Sequence, residues 1–159
     1  MIIFSCLLSS SICFGSPLCT GKEATLTCLK SNFDELYHTN YHGFFDILYK
    51  AEKHAINCKD TSETVAFLEL VNYGKQNAEY TEYLREAIEN LIQKNPECYF
   101  NAVLILDRDT KLYLIDQVRY PLFTEKKEIE HIFTKYKKNE RYKEIMDIYF
   151  KNGKTNKCD

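Results

Sequence analysis

The chain has 159 residues, with hydrophobic side chains at 45% and charged ones at 28%, ordinary usage for one globular domain. Five Gly and three Pro exclude collagen-like and low-complexity classes, and 12 Tyr with 10 Phe argue against disorder. A net charge of −2 carries no electrostatic footprint for nucleic acid, and no apolar run is long enough for an ordinary transmembrane helix.

Residues 1–21 hold no charged side chain, and Lys22 is the first. Ile2 to Leu8 form an apolar run, Ser9 to Gly15 continue it with small residues, and Pro17 breaks it. This pattern marks 1–16 as a secretory signal peptide, although no Lys or Arg precedes the run. The implied location is secreted or periplasmic. Neither Cys6, two residues after bulky Phe4, nor Cys13, directly after Ile12, has the small-residue context of a lipid-attachment cysteine. Cleavage near Ser16 leaves Cys19, Cys28, Cys58, Cys98 and Cys158. In an oxidising compartment some of these pair and one is left over, with the connectivity open. No Cys-x-x-Cys suggests structural zinc. The expected organisation is a cysteine-containing N-terminal segment over 17–31, a single helical domain over 32–150 and a polar tail over 151–159.

From Asn32 onward the apolar period is helical. Phe33, Tyr37, Tyr41, Phe44, Phe45, Leu48 and Ala55 recur at spacings of three and four, predicting one helix to about Cys58; Gly43 and the Thr39-Asn40 pair weaken it, so a break near 39–43 is the alternative. Asp60 to Glu63 supply a cap and first-turn charge for a second helix through Val65, Phe67, Leu68 and Val71, stopped at Gly74. Asn77 caps a longer helix to about Asn95, with Tyr80, Tyr83, Leu84, Ala87, Ile88, Leu91 and Ile92 inward. Pro96 suits a first helical turn. The segment Tyr99–Leu106 is apolar nearly throughout, which reads as a buried helix or a buried strand. Asp109 is expected to cap Lys111–Val118, which Pro121 follows. The alternative is a hairpin over 99–118, but it lacks the Asn-Gly or Asp-Gly turn signal. Thr124 is expected to cap Glu125–Lys138, and Asn139 to cap Glu140–Phe150.

The fold class expected is therefore all-α, a compact multi-helix bundle or a short helical-hairpin solenoid, with an α+β fold carrying the 99–118 hairpin as the alternative. Leu91–Leu106 and Leu114–Phe133, punctuated by Pro96 and Pro121, loosely resemble the hairpins of small exported HEAT-like helical repeat proteins. That resemblance covers about a third of the chain and implies a binding scaffold.

Asp34, His38, His42 and Asp46 follow one another at four-residue steps, so on one helix they would share a face. Two His at i and i+4 with carboxylates beside them are a metal-ligand pattern, and equally a solvated flank. Glu79, Glu82, Glu86 and Glu89 draw an acidic stripe opposite Leu84, Ile88 and Leu91, with Tyr80 and Tyr83 at its margin. Such a stripe reads as an ordinary solvated helix face or as a contact face for a basic partner. Acidic side chains outnumber basic ones over 22–123 and the reverse holds over 124–159, where Lys135, Lys137, Lys138, Arg141 and Lys143 concentrate. No Gly-x-Ser-x-Gly and no phosphate-binding glycine loop occurs, so no catalytic residue and no cofactor is assigned. The expectation is an exported, disulfide-stabilised helical module that binds another protein, such as an inhibitor or the immunity partner of a toxin or hydrolase. The alternatives are an exported metal- or small-ligand-binding protein using His38 and His42, and a secreted effector.

Overall fold

Asn40 divides what would otherwise be one long amphipathic helix. Its backbone (φ −142°, ψ 62°) leaves the helical region, and its side chain accepts the Gly43 N–H at 3.1 Å to start the next helix. In this computed structural model, which describes residues 18–151, the chain folds into helices joined by short loops, with no strand among the described residues. The order is α1 (Leu26–Ser31), α2 (Phe33–Thr39), α3 (Tyr41–Asn57), α4 (Thr61–Leu68), α5 (Ala78–Lys94), α6 (Pro96–Ile105), α7 (Arg108–Arg119), α8 (Lys126–Tyr136) and α9 (Lys143–Lys151). The all-α expectation is met, and the 99–118 hairpin is excluded: Tyr99–Ile105 lies in α6, whose Tyr99, Phe100, Ala102 and Val103 are buried. The proposed signal peptide, Cys6, Cys13, Cys158 and the polar tail beyond Lys151 lie outside the described residues.

Polar residues set most helix starts. As the sequence indicates, Asp60 and Asn77 accept the N–H of Ser62 and Tyr80, and Pro96 opens α6 where no N–H is needed; Asn95, read only as a helix end, also caps α6 by accepting the Cys98 N–H. Two caps differ. Asp107, not Asp109, caps α7, because its Oδ1 accepts both the Asp109 and Thr110 N–H at 3.0 Å. Thr124 does not cap α8; its own N–H is taken by a distant carboxylate, and Glu125 flanks the helix with no side-chain cap bond. Asn139 caps a single 3₁₀ turn, Glu140–Tyr142, that leads into α9. The N-terminal segment, read only as cysteine-containing, forms α1, whose Leu29 is fully buried.

One apolar core joins all of these elements. α3 packs against α1, α2, α4 and α5; α4 and α5 both reach α6; α7 packs on α8 and α9. At one end Phe33, Phe44 and Tyr80 meet edge to face, and at the other Phe133 and Tyr149 stack with ring centroids 3.8 Å apart. Gly74 closes the first end: its φ of +53° suits glycine, and a Cβ there would stand 2.3 Å from the Phe33 ring. Two disulfides tie the chain. Cys19–Cys28 clamps the segment before α1, and Cys58–Cys98 joins the C-cap of α3 to the first turn of α6, with Cα atoms 5.8 and 6.0 Å apart. Asn95 reinforces the second junction by donating Nδ2–H to the Ile56 carbonyl.

Candidate functional site: an acidic and aromatic groove

α3 and α5 lie side by side, and their outward faces leave an open groove. Tyr41, His42, Phe45, Asp46 and Tyr49 of α3 form one wall, Glu79, Glu82, Tyr83 and Glu86 of α5 the other, and Phe123 closes one end. The aromatic rings pack against each other, edge to face at Tyr83 and tilted between Tyr41 and Phe45. Tyr49 and Phe45 stand 5.3 and 5.8 Å from the Tyr83 ring, and Tyr41 stands 4.9 Å from Phe45. Tyr83 also donates its hydroxyl hydrogen bond to Glu52 at 2.9 Å, which holds its ring in the wall. Tyr41, Tyr49 and Phe123 still keep 42%, 49% and 45% of their surface in solvent.

Glu79 is the corner of the site. Its two carboxylate oxygens accept one tyrosine hydroxyl each, from Tyr37 at 2.6 Å and from Tyr41. The two hydroxyls hold the Glu79 carboxyl below its ordinary pKa, Tyr37 most. Reciprocally, the Glu79 carboxylate pushes the Tyr37 hydroxyl up and the Tyr41 hydroxyl to about 12. Asp46, Glu82 and Glu86 carry no such bond and no ion pair among the described residues, so three carboxylates face the groove uncompensated.

The fourth acid of the stripe behaves differently. Glu89 is buried, with 2% of its surface exposed, and its carboxylate points under the loop between α7 and α8. Oε1 accepts the Leu122 N–H at 2.8 Å, and Oε2 accepts those of Phe123 and Thr124 at 2.8 and 2.7 Å. Arg85, one turn earlier on α5, donates to the Tyr120 carbonyl at 2.7 Å. Burying a carboxylate is costly unless it is fully hydrogen-bonded, and three N–H donors meet that need.

The residues singled out in the sequence therefore separate. Glu79, Glu82, Glu86 and Tyr83 come together in the groove, whereas Glu89 and Tyr80 leave it: Glu89 for the loop, Tyr80 for the core with its hydroxyl on the Leu70 carbonyl. The metal pattern is undone by the break at Asn40. Asp34 and His38 ride on α2, His42 and Asp46 on α3, and among the described residues no three His, Cys, Asp or Glu side chains converge closely enough to hold an ion. Asp46 and His42 instead line the groove, Asp34 borders a separate shallow depression, and His38 packs its ring against Tyr37. Tyr41, Tyr49 and Phe123 were missed as site residues. The signal for Phe123 was the apolar run Pro121-Leu122-Phe123 inside a loop; Tyr41 and Tyr49 gave none, since large aromatics at helical spacing read as core. The predicted pairing of cysteines is met by two bonds, Cys19–Cys28 and Cys58–Cys98. No helix among the described residues is long and apolar enough to cross a membrane. No family model, curated protein or solved structure matches the chain.

Proposed function

We propose that this chain is an exported protein-binding module whose α3/α5 groove receives a basic segment of its partner. The observation that carries this reading is the lining of the groove. It combines Asp46, Glu79, Glu82 and Glu86 with the exposed rings of Tyr41, Tyr49 and Phe123, and no Lys or Arg is among its lining residues. Carboxylates steer a cationic partner toward the face, and tyrosine rings then offer cation–π contact and apolar area to Lys or Arg side chains. Rings already held by neighbours lose little freedom on binding, the usual property of interface anchors. The same groups are poor catalysts. With the Tyr41 hydroxyl at about 12 and the Glu79 carboxyl below its ordinary range, neither is poised near neutrality as a general acid or base. Two disulfides favour an oxidising compartment, secreted or periplasmic. An inhibitor or immunity protein directed at a basic toxin or hydrolase is the concrete form we propose.

The test uses the oxidised full chain as bait in an extract of its own source, beside the double variant Glu82→Lys, Glu86→Lys. The wild-type chain should retain a stoichiometric partner that rising salt releases. The variant should bind it at least about tenfold more weakly at unchanged helicity. Equal affinity of the variant for the captured partner would remove the groove from the account.

A further inference from the structure

The loop between α7 and α8 exposes large apolar side chains on a fixed backbone. Tyr120, Leu122 and Phe123 keep 52%, 62% and 45% of their surface in solvent, three apolar residues within four positions. Single exposed apolar residues are common, but a contiguous tip of them marks a contact site. The backbone beneath is held at both ends: by the three N–H bonds to buried Glu89, by the Arg85 bond to the Tyr120 carbonyl, and by Pro121, whose ring fixes its own φ. A connection that served only to join α7 to α8 would need neither a buried carboxylate below it nor an apolar tip above it.

We infer that Leu122 and Phe123 are a preformed anchor for the partner, and that the segment received is amphipathic, with large apolar side chains on this tip and Lys or Arg side chains over Asp46, Glu82 and Glu86. This inference rests on the groove reading above and adds to it the apolar half of the ligand. Continuity carries the link, because Phe123 belongs both to the tip and to the lining of the groove that holds Glu82 and Glu86. Charge selects the occupant. An anionic membrane surface also accepts apolar loop tips, but uncompensated carboxylates lie on the flank of this one. The lysines next to it each stand beside a further carboxylate, Lys126 at 3.8 Å from Glu130 and Lys127 at 3.6 Å from Glu125, which lowers the local positive charge an anionic surface would need. A basic protein segment satisfies the apolar tip and the acidic flank together. A rigid tip also loses little entropy on binding, which is what the Glu89 bonds provide.

The experiment titrates the oxidised full chain into a fluorescein-labelled Leu/Lys peptide patterned as an amphipathic helix of about five turns, and into a scrambled peptide of the same composition, with anisotropy as the readout. The patterned peptide should bind at least about tenfold tighter than the scrambled one. The variant Leu122→Ser, Phe123→Ser, altered only at exposed positions, should bring the two to the same weak level. Glu89→Ala should weaken the patterned peptide alone, since it keeps the anchor side chains but frees their backbone. Equal binding of both peptides, each weakened by Glu82→Lys with Glu86→Lys, would overturn the anchor and leave the acidic groove standing. Failure of both peptides to bind at low salt would overturn both readings. Binding to phosphatidylglycerol vesicles that depends on Leu122 and Phe123, without discrimination between the peptides, would overturn the anchor in favour of a lipid surface.

Discussion

Glu89 and Glu86 sit three positions apart on the same helix, yet one is a buried structural acceptor and the other faces the open groove. The difference lies in what passes over each of them. Glu89 → Ala removes the acceptor of three backbone N–H groups at once, and charge-assisted bonds of this kind are worth more than neutral ones. The loop can partly re-solvate, so the expected loss is about 2–4 kcal/mol by denaturant titration. Hydrogen exchange at Leu122, Phe123 and Thr124 should rise sharply while amides in the middle of α5 remain protected. Unchanged exchange at these three amides would contradict the bonding described. No local pattern separates Glu89 from Glu82 and Glu86, because all three are Glu on the polar flank of one helix. The partner that buries Glu89 lies more than thirty residues downstream.

At the scale of elements, Glu79 fastens the α2–α3 corner to the first turn of α5 through Tyr37 and Tyr41. The sign of its pH dependence follows from the shifts. The Tyr41 hydroxyl is raised from 10.0 to about 12 in the folded protein, so its bond stabilises fully below pH 10 and is lost as pH rises toward 12. The Glu79 carboxyl is lowered from 4.5, so the same bond persists above that pH and fades as pH falls below it. The urea midpoint should therefore fall on both flanks, and Tyr41→Phe should fall less steeply on the alkaline one. Parallel curves for wild type and Tyr41→Phe above pH 10 would show that the Tyr41–Glu79 bond contributes nothing. Element boundaries themselves were largely legible. Asp60, Asn77, Pro96 and Asn139 are strong local signals, and of the two readings open at 39–43 the Asn40 break is the one realised. The cap of α7 was missed because Asp107 and Asp109 are equally good cap residues by type, and only backbone geometry chooses between them.

For the molecule as a whole, the two disulfides should contribute unequally. Cys58–Cys98 spans a sequence separation of 40 and Cys19–Cys28 one of 9. Loop-closure entropy then assigns about 4 kcal/mol to the first and about 2.5 kcal/mol to the second. The pair Cys58→Ser, Cys98→Ser should lower the denaturant midpoint more than Cys19→Ser, Cys28→Ser, all the more because Cys98 is buried beside Thr64. The reverse order would mean that the α3–α4–α6 junction is held by packing alone.

Helical class, most helix boundaries and the inward faces were determined by the sequence itself, because each depends on neighbours within a few positions: apolar period, cap residue, proline. Pairing of cysteines as such was also legible, though not which with which. Tertiary structure alone decided what the acidic stripe became. Whether a carboxylate is an exposed contact, a tyrosine-bound corner or a buried acceptor depends on which remote segment lies over it. The break at Asn40 lies where Gly43 and the Thr39-Asn40 pair weaken the helical pattern, but only the packed direction of α2 against α3 dispersed the His38 and His42 set and delivered His42 and Asp46 to the groove. Likewise, apolar residues in the loop after α7 became an exposed tip rather than core because Glu89 and Arg85 on α5 hold their backbone in place. Long-range hydrogen bonds of this kind leave no periodic trace in a sequence.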